Sequence, residues 1–484
     1  MSNAARKLSW TWLPSELMAR WPRQRGLAAL CSGVGNGEAN RWARWSVLAA
    51  PEAVEKIGPE EADPLARMFE RVRSTARPGD GSKSVPFVGV WVVALSYELG
   101  RVVEPRSARK GDGGVRGVRG VRGVGGVRCA PEWPWSIVMW RCPAAVVYDH
   151  AERVWWSVGA HGRDEPRLEA EGFGADAPGF AIGEPEAETA RSRYVRAVGR
   201  AVEYIRAGDV FEVNLAHRLR AACSGSARAM FLEMLEGGSP WYGAYLELVE
   251  DARARFVLSA SPELFLEFDA ATRRITTRPI KGTRAGDADP AALRASAKDQ
   301  AELNMIVDLM RNDLGRVSAY GSVRVSEERA IERHGMPRGG FDGSGVLGVL
   351  HGVATVEGTL RPGADLSDLL HAAFPAGSIT GAPKVRAMQL IEEMEASARG
   401  LYTGAIGYIS DCGNMTLNVA IRTAVISGVR DAKAEGIDRI AAGTLGYGVG
   451  AGIVADSDPE SEFAETMDKA GVLMRLAEGS RNHA

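Results

Sequence analysis

The order of helical and strand periodicities limits the fold of this 484-residue chain most. Tyr194, Val195, Val198, Val202 and Ile205 recur at helical spacing, and Gly208 falls where a helix C-cap needs positive φ. A strand with Phe211, Val213 and Leu215 follows, then strand arms at Phe256-Val257-Leu258 and Leu264-Phe265-Leu266-Glu267-Phe268. Helical patterns return over 291–311 and 382–397, with strands expected at 405–410, 417–425 and 439–445. No regular strand–helix alternation runs through this series. It argues against a doubly wound sheet and for an α+β fold.

The first half is less regular. Strand-like stretches occur at Trp45-Ser46-Val47-Leu48, Val88–Val93, Trp135–Trp140 and Ala144–Tyr148. Between them lies a Gly-Val-Arg tract, 113–124, with no apolar face and a high entropic cost of ordering. It reads as a surface loop, with a basic binding arm as the alternative. A stretch rich in Gly, Glu, Pro and Ala over 172–188 reads as a linker. Two regions are therefore expected, 1–180 (with a low-complexity loop at 107–128) and a catalytic region at 185–484.

Composition narrows the class further. Apolar content of 45% is ordinary for a globular protein, and 59 Lys plus Arg against 61 Asp plus Glu gives no field for nucleic acid or membrane. The five cysteines, Cys31, Cys129, Cys142, Cys223 and Cys412, are odd in number and lack metal-ligand spacing, which favours a reducing compartment. Residues 1–13 are polar and no run of 18 apolar residues occurs, so neither signal peptide nor membrane span is expected. A soluble cytoplasmic enzyme fits these features.

Lys281 carries more chemical meaning than the composition. It lies in Arg278-Pro279-Ile280-Lys281-Gly282-Thr283-Arg284, where an extended segment is expected to break at Gly282 and leave the lysine facing a cleft. Most lysines are solvated surface charges. An amine stripped of water there stays partly neutral and acts as a nucleophile. Asp299 and Glu302, and again Glu462 and Glu465, are three apart on expected helices, so each pair shares a helix face. Alone, such pairs are ordinary solvated faces. Opposed, they make an oxygen-rich site suited to Mg²⁺.

Seven blocks set these residues in order. They are Gly208–Leu215, Ser261-Pro262-Glu263, Pro279–Thr283, Asp308–Arg316, Gly377–Lys384, Asn418–Thr423 and Gly450–Glu460. Together they resemble the chorismate-utilising enzymes over 194–473, a family that includes anthranilate, aminodeoxychorismate, isochorismate and salicylate synthases. The resemblance implies two stacked antiparallel sheets wrapped by helices, with the active site in a cleft of the C-terminal half. It also implies a Mg²⁺ site at Glu302, Glu462, Glu465 and Asp299, the last departing from the family's usual Glu. Arg422, through a bidentate fork, and Tyr402 are implied to hold the enolpyruvyl carboxylate of chorismate, helped by the backbone N–H of Gly450. Lys469 would balance the metal-bound ring carboxylate, and the glycine turn at Ser378 lets backbone amides approach an anion. Glu263 is the expected general acid, a role that requires partial desolvation near neutral pH. His351 matches a pocket-lining family histidine, with a satisfied core histidine as the alternative.

Within the family Lys281 resembles the mark of aminodeoxychorismate synthase component I, since anthranilate synthases typically carry Ala there. Glu212 departs from the pattern: amino-transferring members have Gln and water-adding members Lys. A carboxylate there argues against the isochorismate and salicylate reading. The glycine-rich segment 335–348 is also poorly matched, and Thr283-Arg284-Ala285-Gly286 lacks the usual Pro-Arg. The implied reaction is transfer of an amino group to chorismate through a covalent lysine intermediate, in 4-aminobenzoate and folate biosynthesis. None of the cysteines lies in a Gly-x-Cys-x-Gly nucleophile turn, so ammonia is expected from a separate glutamine amidotransferase subunit or from free ammonium. The last motif falls close to Ala484, so no fused lyase is expected. The alternatives are anthranilate synthase component I and a non-catalytic protein that binds chorismate.

Overall fold

The computed structural model describes residues 5–32, 41–77, 85–107, 121–122, 128–159, 179–238, 240–334 and 348–482. Two antiparallel sheets, of 13 and 10 strands, carry the α+β fold. In the larger sheet Tyr242–Glu250 lies between Ala28–Cys31 and Arg253–Ser261. In the smaller, Ala405–Ser410 lies between Val90–Leu95 and Met415–Val419. Strands from before residue 180 and after residue 185 are thus hydrogen-bonded neighbours in both sheets.

The sheets face each other across one apolar layer. Val47, Leu246, Val257 and Val425 of the larger sheet meet Val92, Trp140 and Ile406 of the smaller. Trp140 is fully buried and satisfies its indole N–H on the Glu247 carbonyl at 2.8 Å. Each Val or Leu in such a layer contributes about 1.5–3 kcal/mol through burial. The outer face of the smaller sheet is covered by helices including Pro64–Ser74 and Ala297–Gly315; the larger is covered by Pro14–Ala19, Ala227–Gly238 and Gly471–Asn482, with Arg191–Arg206 and Lys384–Met394 against its strand Glu212–Ser226. Val90–Leu95 is therefore buried on both faces, with Val90, Val92 and Ala94 inward and Trp91, Val93 and Leu95 towards the helices. That explains its unbroken apolar run, where a half-solvated strand would alternate.

Several expected elements divide where the chain changes direction. The single strand expected at 417–425 is two strands, Met415–Val419 in the smaller sheet and Thr423–Arg430 in the larger. The crossing runs through Ala420-Ile421-Arg422, with Arg422 at φ +49°. A second crossing at Pro262-Glu263 joins Arg253–Ser261 of the larger sheet to Leu264–Asp269 of the smaller. The helix expected over 291–311 is interrupted at Ser296, whose hydroxyl caps Ala297–Gly315 by accepting from the Asp299 N–H. The expected break at Gly282 lies earlier, at Pro279, and the strand Ile280–Ala285 continues through Gly282. The pairing register shifts between Ile280 and Thr283 and Gly282 takes φ +81°, so Lys281 projects from a bulge.

Most of the Gly-Val-Arg tract and the segment 335–347 lie outside the described residues, although Val121–Arg122 pairs with Arg128–Cys129. Within the expected linker, Phe180–Ile182 and Glu186–Ala187 pair along Glu212–Ser226. Among the described residues no helix is long and apolar enough to cross a membrane.

Candidate active site

The two crossings between the sheets are bonded to each other. The Val419 N–H donates to the Glu263 carbonyl at 3.0 Å, the Ala260 N–H to the Arg422 carbonyl at 2.9 Å, and the Ser261 hydroxyl to the Val419 carbonyl at 2.6 Å. Irregular backbone is thereby satisfied internally, and Glu263 and Arg422 emerge from adjoining points of the sandwich. Arg422 sits in the left-handed region, which a long side chain adopts only when its surroundings hold it there.

Glu263 has the environment expected of a general acid. Its side chain is 4% exposed and accepts a 2.6 Å hydrogen bond from the Ser378 hydroxyl. Burial raises its pKa to about 7, against the opposing pull of Ser378, the Ile280 N–H and the Lys281 charge. It therefore carries a proton over much of the neutral range. Ser378 acts here through its hydroxyl, where sequence reasoning had invoked its backbone.

Lys281 differs from expectation. Its amine donates to Glu212 Oε1, a carboxylate only 1% exposed. Burial lowers the amine's pKa, but the Glu212 charge and hydrogen bond outweigh it, with Glu302 and Glu263 adding to the same effect, and the net shift is upward. The partly neutral lysine is thus corrected to an ammonium held by an ion pair. Gly452 makes room for the pair: a Cβ there would lie 2.6 Å from Glu212 Oε1 and 3.0 Å from Lys281 Nζ.

His351 stands opposite Thr283 in the strand pairing and meets its hydroxyl through Nδ1 at 3.2 Å, while Nε2 is buried without a partner. Burial, then the charges of His334 and Arg422, hold the imidazole well below its ordinary pKa. It is a neutral hydrogen-bonding group at physiological pH. Arg422 forms no side-chain hydrogen bond or ion pair among the described residues, and burial lowers its pKa. A desolvated, unpaired guanidinium is matched to an anion. Tyr447, whose buried hydroxyl also lacks a partner, interacts electrostatically with Arg422 and with Tyr402. Burial keeps the Tyr402 phenol protonated, and its ring covers Gly448.

The Chorismate_bind family, described as chorismate binding enzyme, matches residues 125–475. The chain belongs to this family. This chorismate-binding enzyme is 34% identical over 430 residues to aminodeoxychorismate synthase component 1 of Escherichia coli (strain K12), covering 86% of this chain and 83% of that one. It is equally 34% identical over 439 residues to anthranilate synthase component 1 of Thermus thermophilus, covering 87% and 83%. Among solved structures, anthranilate synthase component I from Streptococcus pneumoniae superposes with a TM-score of 0.67 at 25% identity, over 90% of this chain and 92% of that one. The menaquinone-specific isochorismate synthase of Escherichia coli gives 0.65 at 16% identity, over 98% and 95%, and shares the fold.

The four acids of this enzyme stand on the expected helices, Ala297–Gly315 and Pro459–Lys469, yet each has turned to its own partner. Asp299 pairs with Arg284 at 2.8 Å, Glu302 lies 4.0 Å from Lys298, Glu462 accepts from Ser457 at 2.6 Å, and Glu465 pairs with Lys469 at 2.8 Å. Among the described residues no three His, Cys, Asp or Glu side chains stand close enough in this arrangement to hold a metal ion. Like charges spread apart when each finds its own partner. The donors still fit Mg²⁺ in kind, being hard carboxylate oxygens. Burial raises the pKa of Glu302, and the Glu212 and Asp299 charges add to it. Lys469 also donates to the Gly450 carbonyl at 2.9 Å, so its charge is already engaged.

One positioning residue escaped sequence reasoning. Buried Arg399 pairs with Glu395 and donates to the Ile379 carbonyl at 2.9 Å, the Asn214 carbonyl at 2.8 Å and the Thr403 hydroxyl at 3.2 Å. It thereby ties together the turn of Ser378, the strand of Glu212 and the loop of Tyr402. A separate cavity of about 400 Å³, lined by Phe87, Trp241 and Tyr408 among others, contains none of these residues.

Proposed function

We propose that this enzyme replaces the C4 hydroxyl of chorismate by an amino group, giving 4-amino-4-deoxychorismate and keeping the enolpyruvyl ether. The observation that carries the reading is a buried lysine amine, Lys281, in electrostatic contact with a carboxyl that holds its proton near neutral pH, Glu263. A nucleophile and a general acid are thereby supplied by different side chains. Relatives named aminodeoxychorismate synthase component 1 support the same reading.

In this mechanism Arg422 and Tyr402 grip the enolpyruvyl carboxylate and fix the ring. Lys281 reacts as the free amine, its ammonium first releasing a proton to water. Glu263 protonates the C4 hydroxyl, which leaves as water while the Nζ lone pair forms a bond to C2; ammonia then bonds to C4, its surplus proton returns to the Glu263 carboxylate, and the C2–Nζ bond breaks to restore the Lys281 amine. His351, neutral and with Nε2 unpartnered, offers a hydrogen bond to the substrate. Mg²⁺ held by Glu302, Glu462 and Glu465 would neutralise the ring carboxylate; Asp299 is bound by Arg284. Ammonia comes from a glutamine amidotransferase partner or from free ammonium, and the site of action is the cytoplasm.

The test is product identification from chorismate, ammonium and Mg²⁺. The expected outcome is 4-amino-4-deoxychorismate without pyruvate, abolished in Lys281→Ala with the fold retained. Release of pyruvate with anthranilate supports the second reading, anthranilate synthase, which the equal identity to a relative of that name favours. A wild-type chain that consumes no chorismate overturns both.

A further inference from the structure

We propose that His217 is a positioning residue that fixes the rotation of the helix Pro459–Lys469, and with it the face carrying Glu462 and Glu465. The proposal rests on the Mg²⁺ site given to those acids above.

The helix surface supplies the first argument. Successive residues of an α-helix are turned by about 100° from one another. Phe463 and Thr466, each one place after an acid, therefore form a face of their own beside that of Glu462 and Glu465. His217 meets both members of this neighbouring face. Its Nε2 lies 2.8 Å from the Thr466 hydroxyl, and its ring stacks on Phe463 with centroids 5.6 Å apart and planes 15° from parallel. If Phe463 and Thr466 turn, the acids turn with them.

The direction of the hydrogen bond follows from Thr466. Its hydroxyl donates to the Phe463 carbonyl at 2.7 Å, so its oxygen accepts from His217 Nε2–H. Burial lowers the histidine's pKa to about 4, and the neutral ring keeps a lone pair on Nδ1. That Nδ1 is buried with no hydrogen-bond partner. An unpaired buried acceptor costs stability, and an apolar side chain would avoid the cost. What the imidazole supplies, and an apolar side chain cannot, is the bond to Thr466.

The imidazole is itself firmly mounted. His217 stands opposite Val449 in the pairing of Glu212–Ser226 with Arg439–Ile453, and the Tyr194 ring meets it edge-on at 4.9 Å. The Tyr194 hydroxyl donates to the Leu215 carbonyl of the same strand at 3.0 Å. Asp458 caps the start of the acid-bearing helix by accepting from the Ser461 N–H, and Lys469 ties its end to the Gly450 carbonyl. Those contacts hold the two ends. His217 holds the middle, where the acids are.

The test is Mn²⁺ binding, followed by electron paramagnetic resonance on the full chain with chorismate present and ammonium absent; Mn²⁺ shares the preference of Mg²⁺ for carboxylate oxygen. His217→Phe keeps a ring against Phe463 and loses the donor. Its Mn²⁺ dissociation constant is expected to rise about tenfold or more. His217→Gln, which keeps an N–H donor, should fall between the Phe variant and the wild type. Thr466→Val should match His217→Phe, and the double variant should bind no more weakly than either, as one shared contact requires. The metal-free urea midpoint of His217→Phe should not fall, because the substitution removes the unpaired acceptor. At saturating Mg²⁺ the KM for chorismate should hardly change. An unchanged dissociation constant in His217→Phe, a Gln variant no tighter than the Phe one, additive losses in the double variant, or a lowered urea midpoint each overturns the proposal and leaves the metal site standing. A wild-type chain that binds no Mn²⁺, or undiminished binding when Glu462 and Glu465 are both replaced by Ala, overturns the metal site and this proposal together.

Discussion

Glu263, the proposed general acid, would link catalysis to stability through one buried carboxyl. Its pKa rises from 4.5 to about 7 because burial disfavours the charged form. Between those values the folded chain binds more protons than the unfolded one, so stability falls as pH rises through this window and levels off above 7. The rise corresponds to about 3 kcal/mol at 1.36 kcal/mol per pH unit. Glu263→Gln, which cannot ionise, should therefore be more stable than the wild type at pH 8 and equal to it near pH 4. Urea unfolding at the two pH values measures the difference. The same variant should lose about 10²–10⁴-fold in kcat, and wild-type kcat should decline as pH rises through about 7, when the acid ionises. A variant no more stable at pH 8 would mean that Glu263 is not buried as described. At this scale the sequence pointed to candidate residues but not to their states. Lys281 and Glu263 stood out as candidates, yet the amine's ionisation depends on Glu212, 69 residues away, and the acid's on burial opposed by Ser378, 115 residues away.

Elements repeat that division. The helix Arg191–Arg206 and its Gly208 terminus were readable because one face is packed and the other solvated. The crossings at Pro262-Glu263 and Ala420–Arg422 were not, because extended backbone runs through them and the apolar pattern persists while the partner sheet changes. The i,i+3 spacing put each acid pair on one face of its expected helix, but the partners each acid has taken were not legible, since the choice among nearby cations and hydroxyls leaves no periodic signal. Those partners define a prediction at this scale. Glu302→Ala and Glu465→Ala should each raise the Mg²⁺ concentration needed for half-maximal turnover, while Asp299→Ala, already bound by Arg284, should matter less. Titrating Mg²⁺ against initial rate decides it. An unchanged requirement in both glutamate variants removes the proposed metal site.

At the scale of the molecule, strands from either side of the expected boundary near 180 complete both sheets. Tyr242–Glu250 takes one edge of its hydrogen bonding from Ala28–Cys31, and Ala405–Ser410 takes one from Val90–Leu95. Residues 185–484 alone would leave both strands with bare edges, the arrangement that invites pairing with other chains. The same truncation strips Val92 and Trp140 from the layer between the sheets and uncovers Leu246, Val257 and Ile406. The hydrogen-bonded crossings that carry Glu263 and Arg422 lie at the margin of that layer. Their geometry then depends on residues that contribute no catalytic group. The full chain should therefore unfold in urea as one transition, with near-ultraviolet and far-ultraviolet signals coinciding. The 185–484 fragment should aggregate or lack fixed tertiary packing, and should not consume chorismate. A soluble fragment that turns over chorismate at the full-length rate would show that the N-terminal strands are dispensable to the site and that the sheets tolerate open edges.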